Sequence, residues 1–184
     1  MKKLIFTSIL IAIILTSCTN DVDPFSIAPN NIGLLTDSTQ VKDLESIFSK
    51  DSISKYVAGN DFTGNINDIE IFESGGQKLL VLTATQALDS TATIKHITVV
   101  DPRFKTEKGL HINSTFKDIK DNYKVSNIQN TLKTIIVSLN EINAYVTIDK
   151  TELPADMRFN MDLKIEAIQI PDEAKLKGLF LQWY

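Results

Sequence analysis

The 184 residues carry 19 Lys and Arg against 23 Asp and Glu, a net charge of −4, and so lack the basic excess that binding to phosphate backbones or capture by anionic lipid requires. A single cysteine excludes an intrachain disulfide framework, and the 43% of hydrophobic residues must therefore stabilise one ordinary domain or two small ones by packing alone.

The chain opens Met1-Lys2-Lys3 and continues from Leu4 to Leu15 as a nearly apolar run of 12 residues, followed by the small residues Thr16 and Ser17. A positive start, a short apolar stretch and a small-residue exit are the layout of a secretory signal, because a spanning helix takes about 20 apolar residues. Leu15-Thr16-Ser17-Cys18 resembles the lipobox of bacterial lipoproteins. That resemblance covers residues 1–18 and implies cleavage before Cys18, a diacylglycerol on its sulfur and an acylated new amine. Residues 1–17 are thus expected to be a signal peptide and residues 18–31 a lipidated tether, with Asp21, Asp23, Pro24, Pro29, Asn30 and Asn31 giving it a polar, turn-prone composition. Losing Lys2 and Lys3 lowers the 19 basic residues to 17 against 23 acidic ones, about −6, so lipid on Cys18 has to supply the membrane attachment. Each buried acyl methylene contributes about 0.8 kcal/mol, and two or three chains suffice. The expected location is exported and lipid-anchored in the cell envelope, at the outer membrane.

Downstream, residues 38–53 resemble residues 114–128. Val41-Lys42-Asp43-Leu44 falls on Phe116-Lys117-Asp118-Ile119, and Phe48 falls on Tyr123. A second match, residues 92–99 on 174–181, follows in the same order, with offsets of 75 and then 82 residues. The spacing predicts a tandem duplication, with a first repeat over 32–101, a linker over 102–108 and a second repeat over 109–184. Each repeat opens with a helix signal: Phe116, Ile119 and Tyr123 lie at i, i+3 and i+7 behind a cap at Ser114 or Thr115, and Val41, Leu44 and Phe48 repeat the spacing.

Strand signals follow. Ile66 to Phe72 and Leu79 to Thr85 flank the turn Ser74-Gly75-Gly76-Gln77, and Ile94 to Val100 adds a third strand. In the second repeat Ile135 to Leu139 precedes a segment in which Ile142, Ala144, Val146 and Ile148 alternate with more polar neighbours, the period of a half-buried strand. Residues 150–162 read as a surface excursion, 163–168 as a further strand, and Leu176 to Trp183, apolar on both faces, as a closing strand covered on both sides. The expected fold class is α+β: a duplicated unit of one helix and three antiparallel strands, with helices packed on antiparallel sheet. This unit looks similar to the tandem-repeat beta-lactamase inhibitory proteins and to small outer-membrane assembly lipoproteins, whose Gly-containing turn before a short helix is echoed by Ile32-Gly33 and Gly109-Leu110. As a whole the chain resembles small uncharacterised envelope lipoproteins of Bacteroidota.

Catalytic patterns are missing. There is no G-x-S-x-G elbow, no H-x-x-x-H or C-x-x-C spacing and no Walker loop; His96 and His111 are expected to be satisfied structural residues. Neither an enzyme, a metal site nor a bound cofactor is expected. Binding remains: Arg103, Phe104 and Lys105 in the linker combine an aromatic with basic residues, the composition of interface hot spots, and form the candidate partner surface. The leading expectation is a non-catalytic, membrane-anchored lipoprotein that binds an envelope protein partner or serves an envelope assembly, with no nucleic acid partner. The alternative is a small-ligand or glycan binder using a pocket between sheet and helix.

Overall fold

A computed structural model of the chain describes residues 23–55 and 68–184. The expected signal peptide and lipidation site, Cys18, lie outside the described residues, as does the start of the strand expected from Ile66.

Among the described residues twelve strands form two sheets. Strands β1 (Ser26–Ala28), β2 (Asn31–Ile32) and β3 (Leu35–Thr36) are followed by β4 (Ser52–Lys55), β5 (Asp68–Phe72), β6 (Lys78–Ala84), β7 (Ile94–Val99) and β8 (Lys105–Thr106). After these come β9 (Asn127–Asn130), β10 (Thr134–Leu139), β11 (Ala144–Asp149) and β12 (Leu176–Gln182). The large sheet is antiparallel throughout, in the order β4-β5-β6-β7-β12-β11-β10-β9. A smaller sheet, β3-β2-β1-β8, contains one parallel pair, β1 with β8.

The α+β expectation is therefore overturned: the chain is mostly β, and α2 (Phe116–Asn122) is the one described α-helix longer than a single turn. Its partner in the expected duplication, α1 (Leu44–Ile47), is four residues behind a 3-10 turn at Val41–Asp43. Ser46, Ser49, Asp51 and Ser52 crowd that segment with residues that favour turns over helix, and the chain enters β4 instead. Nor do helix-plus-three-strand units stand apart, because each half places four strands in one continuous sheet that joins at β7 and β12.

Alternation sets the layers. β5, β10 and β11 bury every second residue, and the buried set, including Ile71, Val137, Val146 and Leu181, merges with Leu44, Phe116 and Ile119 into one core. A helix of seven residues is marginal alone, so α2 depends on burying Phe116 and Ile119. Its first turn is tied down twice: the Phe116 N–H donates to the Ala174 carbonyl at 2.9 Å, and the Asp118 carboxylate accepts from the Thr115 N–H at 2.8 Å.

Three further segments depart from the sequence reading. From Asp23 onward the expected tether is packed chain: Ile27 is buried in β1, and the Pro29 carbonyl accepts hydrogen bonds from Trp183 Nε1 and Asn143 Nδ2. The expected linker holds β8 and the buried Phe104. Residues 163–168 form no strand; Asn130 Nδ2 grips the carbonyls of Asn160 and Leu163 and Ile165 sinks into the core, so local side-chain bonding replaces a ladder. Among the described residues no helix is long and apolar enough to cross a membrane.

Candidate functional site

The linker trio does not form a shared surface. Phe104 is 2% exposed and meets the Phe25 ring edge-on at 5.1 Å, which removes it from any partner contact. Arg103 spends its donors inside the protein: Nη1 and Nη2 bond the Glu73 carboxylate at 2.9 and 3.0 Å, Nε and Nη2 bond Asp101, and the guanidinium lies 4.3 Å from the Phe25 ring centroid. Those bonds raise the Arg103 pKa further and hold the Asp101 carboxyl below its ordinary value. Arg103 is a clamp joining the β5–β6 turn to the segment before β8: its side chain stays partly in solvent with its donors engaged, and Lys105 is exposed beside the buried Phe104. The space expected between sheet and helix amounts to about 100 Å³ among Phe25, Ile32, Ile47, Phe48, Leu79 and Phe104, smaller than the few hundred Å³ of ligand pockets.

The opposite face of the large sheet carries a different arrangement. Its half-exposed residues line up across the strands in register. One row runs Val81, Thr98, Phe180, Tyr145, Ser138, Asn127, and the next runs Asp68, Thr83, His96, Gln182. Tyr145 and Phe180 stack at 4.8 Å and 15°, and His96 closes the cluster at 5.6 Å from Phe180 and 5.8 Å from Tyr145. His96 Nε2 and the Tyr145 hydroxyl are 2.6 Å apart. The cluster needs a glycine beneath it: a Cβ at Gly178 would stand 2.5 Å from the Phe180 ring, so only a bare backbone lets that ring lie flat along β12.

Burial fixes the charge state of this pair. It lowers the His96 pKa from its ordinary value of 6.5, partly opposed by the Asp68 carboxylate and assisted by Lys95, and it raises the Tyr145 pKa. Both groups are neutral at pH 7. Asp68 is in turn bonded by the Thr83 hydroxyl at 2.9 Å, which screens the one carboxylate in the row.

A native histidine that resists protonation makes stability depend on pH. The unfolded chain binds the proton more readily, so the His96 contribution is fully present above about pH 6.5 and declines as pH falls through the lower folded value. Chemical denaturation midpoints are expected to drop between pH 7 and pH 5 in the wild type, and a His96→Gln variant is expected to flatten that slope; an unchanged slope in the variant would show that other groups set it.

Beside Tyr145 the face sinks into a cavity of about 280 Å³, lined by Ser138, Asn140, Asn143, Tyr145, Gln182 and Tyr184. Ser138 pairs with Tyr145 across β10 and β11, and its small side chain leaves the space open. Asn143, with φ of 49°, turns the chain at the rim and donates to Asn30 Oδ1 at 3.0 Å. No charged side chain lines the cavity. Among the described residues the Ser138 hydroxyl and the amides of Asn140 and Gln182 have no side-chain hydrogen bond within the protein, so they are available to a ligand. A shallower depression of about 520 Å³ runs along Asn30, Asn31, Gly33, Leu34, Thr36 and Asp37, without aromatic walls.

The sequence reading missed this site. His96 falls within the strand expected over Ile94 to Val100, but nothing local joins it to Tyr145. The available signal was Gly178 two residues before Phe180 in an otherwise bulky strand, since glycine inside a strand marks a close approach.

No protein-family model matches the chain, and neither does any curated protein. Among solved structures it is similar to the uncharacterized protein yfeY from Escherichia coli, at 15% identity and a TM-score of 0.54, over 85% of this chain and 99% of that one. At that identity the likeness concerns the fold alone.

Proposed function

We propose that the mature chain is a lipid-anchored, non-catalytic binding protein of the cell envelope that takes a small neutral ligand on the outer face of its large sheet. The observation that carries this reading is the cavity of unpartnered hydroxyl and amide groups beside a neutral aromatic cluster. Neither imidazole among the described residues bonds a Ser, Thr or Cys side chain: His96 Nε2 meets Tyr145, and His111 Nδ1 accepts from the Asn113 N–H. That favours recognition over nucleophilic chemistry. Anchoring rests on Cys18 and the signal that precedes it.

Growth with a labelled fatty acid tests the anchor. Wild-type protein is expected to take up label and to lose residues 1–17 by intact mass, whereas Cys18→Ala takes up none. Unlabelled wild type that retains residues 1–17 would overturn the anchored reading.

A protein partner remains the second reading, favoured by a separate feature. Asn130 draws the 160–163 loop onto the β9–β10 end of the sheet, where Leu132 is 74% and Phe159 89% exposed. Large apolar side chains this exposed are typical of contact surfaces.

A further inference from the structure

We infer that the ligand of the cavity beside Tyr145 is a neutral carbohydrate, held by a sugar ring against the tyrosine and by its hydroxyls on the amides of Asn140 and Gln182. The inference rests on the binding reading above and names its ligand class. Three observations lead to it. First, no Lys, Arg, Asp or Glu side chain lines the cavity, so no charged side chain is there to offset the desolvation of an ionic ligand group. Second, the free groups are of the kind that pair with diols. A primary amide donates from nitrogen and accepts at oxygen, so Asn140 and Gln182 can each bond hydroxyls in either sense, and Ser138 adds a third adaptable partner. A purely aliphatic ligand would strip water from these groups and return no hydrogen bonds.

Third, the aromatic surface is of the right kind and number. Tyr145 has one side engaged by Phe180 and His96, which hold it, while the strand on its other side presents only Ser138. That leaves a supported π-face toward the cavity for the C–H face of a sugar ring, and Tyr184 stands at the rim. About 280 Å³ holds one ring and part of a second, so recognition is of a ring within a chain or at its end.

The test uses the full-length protein in a detergent without a sugar headgroup, titrated calorimetrically with maltotriose, cellotriose and chitotriose, and in parallel with adenosine and trigalacturonate. Binding of at least one neutral trisaccharide is expected, weakened about five- to tenfold by Gln182→Ala and likewise by Asn140→Ala, each removing one set of hydrogen bonds. Gly178→Ala, which displaces the Phe180 ring that backs Tyr145, is expected to weaken it as well. Asp156→Ala, an exposed position outside the cavity lining, leaves binding unchanged. Thermal melts of each variant confirm that the fold survives. No heat from any of the three neutral probes, binding indifferent to both amide variants, or binding of adenosine or trigalacturonate in their place would overturn the assignment. Since fatty-acid labelling reads the anchor separately, a failed titration removes the ligand class and leaves attachment to the membrane standing.

Discussion

Phe116→Ala is expected to lower the unfolding free energy by about 3–5 kcal/mol, the range for truncating a fully buried phenylalanine. Phe116 has no exposed surface, and it anchors the first turn of a helix too short to persist by itself. Its removal leaves a void between α2 and the sheet that Ile119 and Tyr123, fixed on the same face, cannot fill by moving together. Against a total of about 5–15 kcal/mol for a domain, a loss of this size puts much of the population near the unfolding threshold at 37 °C. Urea unfolding checks it: the midpoint should fall with the slope unchanged. A shift equivalent to less than about 1 kcal/mol would mean that the helix contributes little beyond its own surface.

Gly33→Ala is the second large effect, and it acts on the backbone. Gly33 has φ of +53°, where an L side chain costs about 1–2 kcal/mol, and its Cβ would lie 2.3 Å from the Pro24 carbonyl oxygen. Main chain cannot swing aside as a side-chain tip can. The segment around Pro24 has to lift, loosening the contact of Phe25 with Phe104 and the Arg103 guanidinium. The expected loss is at least about 2 kcal/mol, with early hydrogen exchange in residues 24–36. Gly76→Ala, also at positive φ but with open space around its Cβ, is the control that isolates the clash from the dihedral.

How far the sequence revealed this structure depended on the length of each signal. Ala144, Val146 and Ile148 alternate over enough residues to name a half-buried strand, and the face made by Phe116, Ile119 and Tyr123 marked a helix that does form. Strands β1, β2, β3 and β8 span two or three residues each, too short for a repeated alternation, so they are set by pairing with one another and by Ile27, Ile32 and Leu35 entering the core. β9, Asn127–Asn130, is polar at three of its four positions and gains its place through β10. In residues 41–48 the apolar spacing was helical, yet tertiary pairing overrode it: the Val41 N–H bonds the Ala92 carbonyl and Gln40 bridges Thr93.

The aromatic face was hidden for a related reason. His96 and Tyr145 are 49 positions apart along the chain and become neighbours only through the sheet order. Arg103 looked available because composition cannot show that Glu73 and Asp101 already surround it.

The position of β12 bears on how the molecule is made. β12 follows every other described strand along the chain yet is central, seated between β7 and β11, and Trp183 just beyond it reaches back to Pro29 across 154 positions. Until Leu176–Gln182 emerges, two raw sheet edges wait without a mate, each able to recruit a stray strand from another molecule. Completion of the large sheet thus waits for β12 and is dominated by distant pairings, which makes for slow maturation.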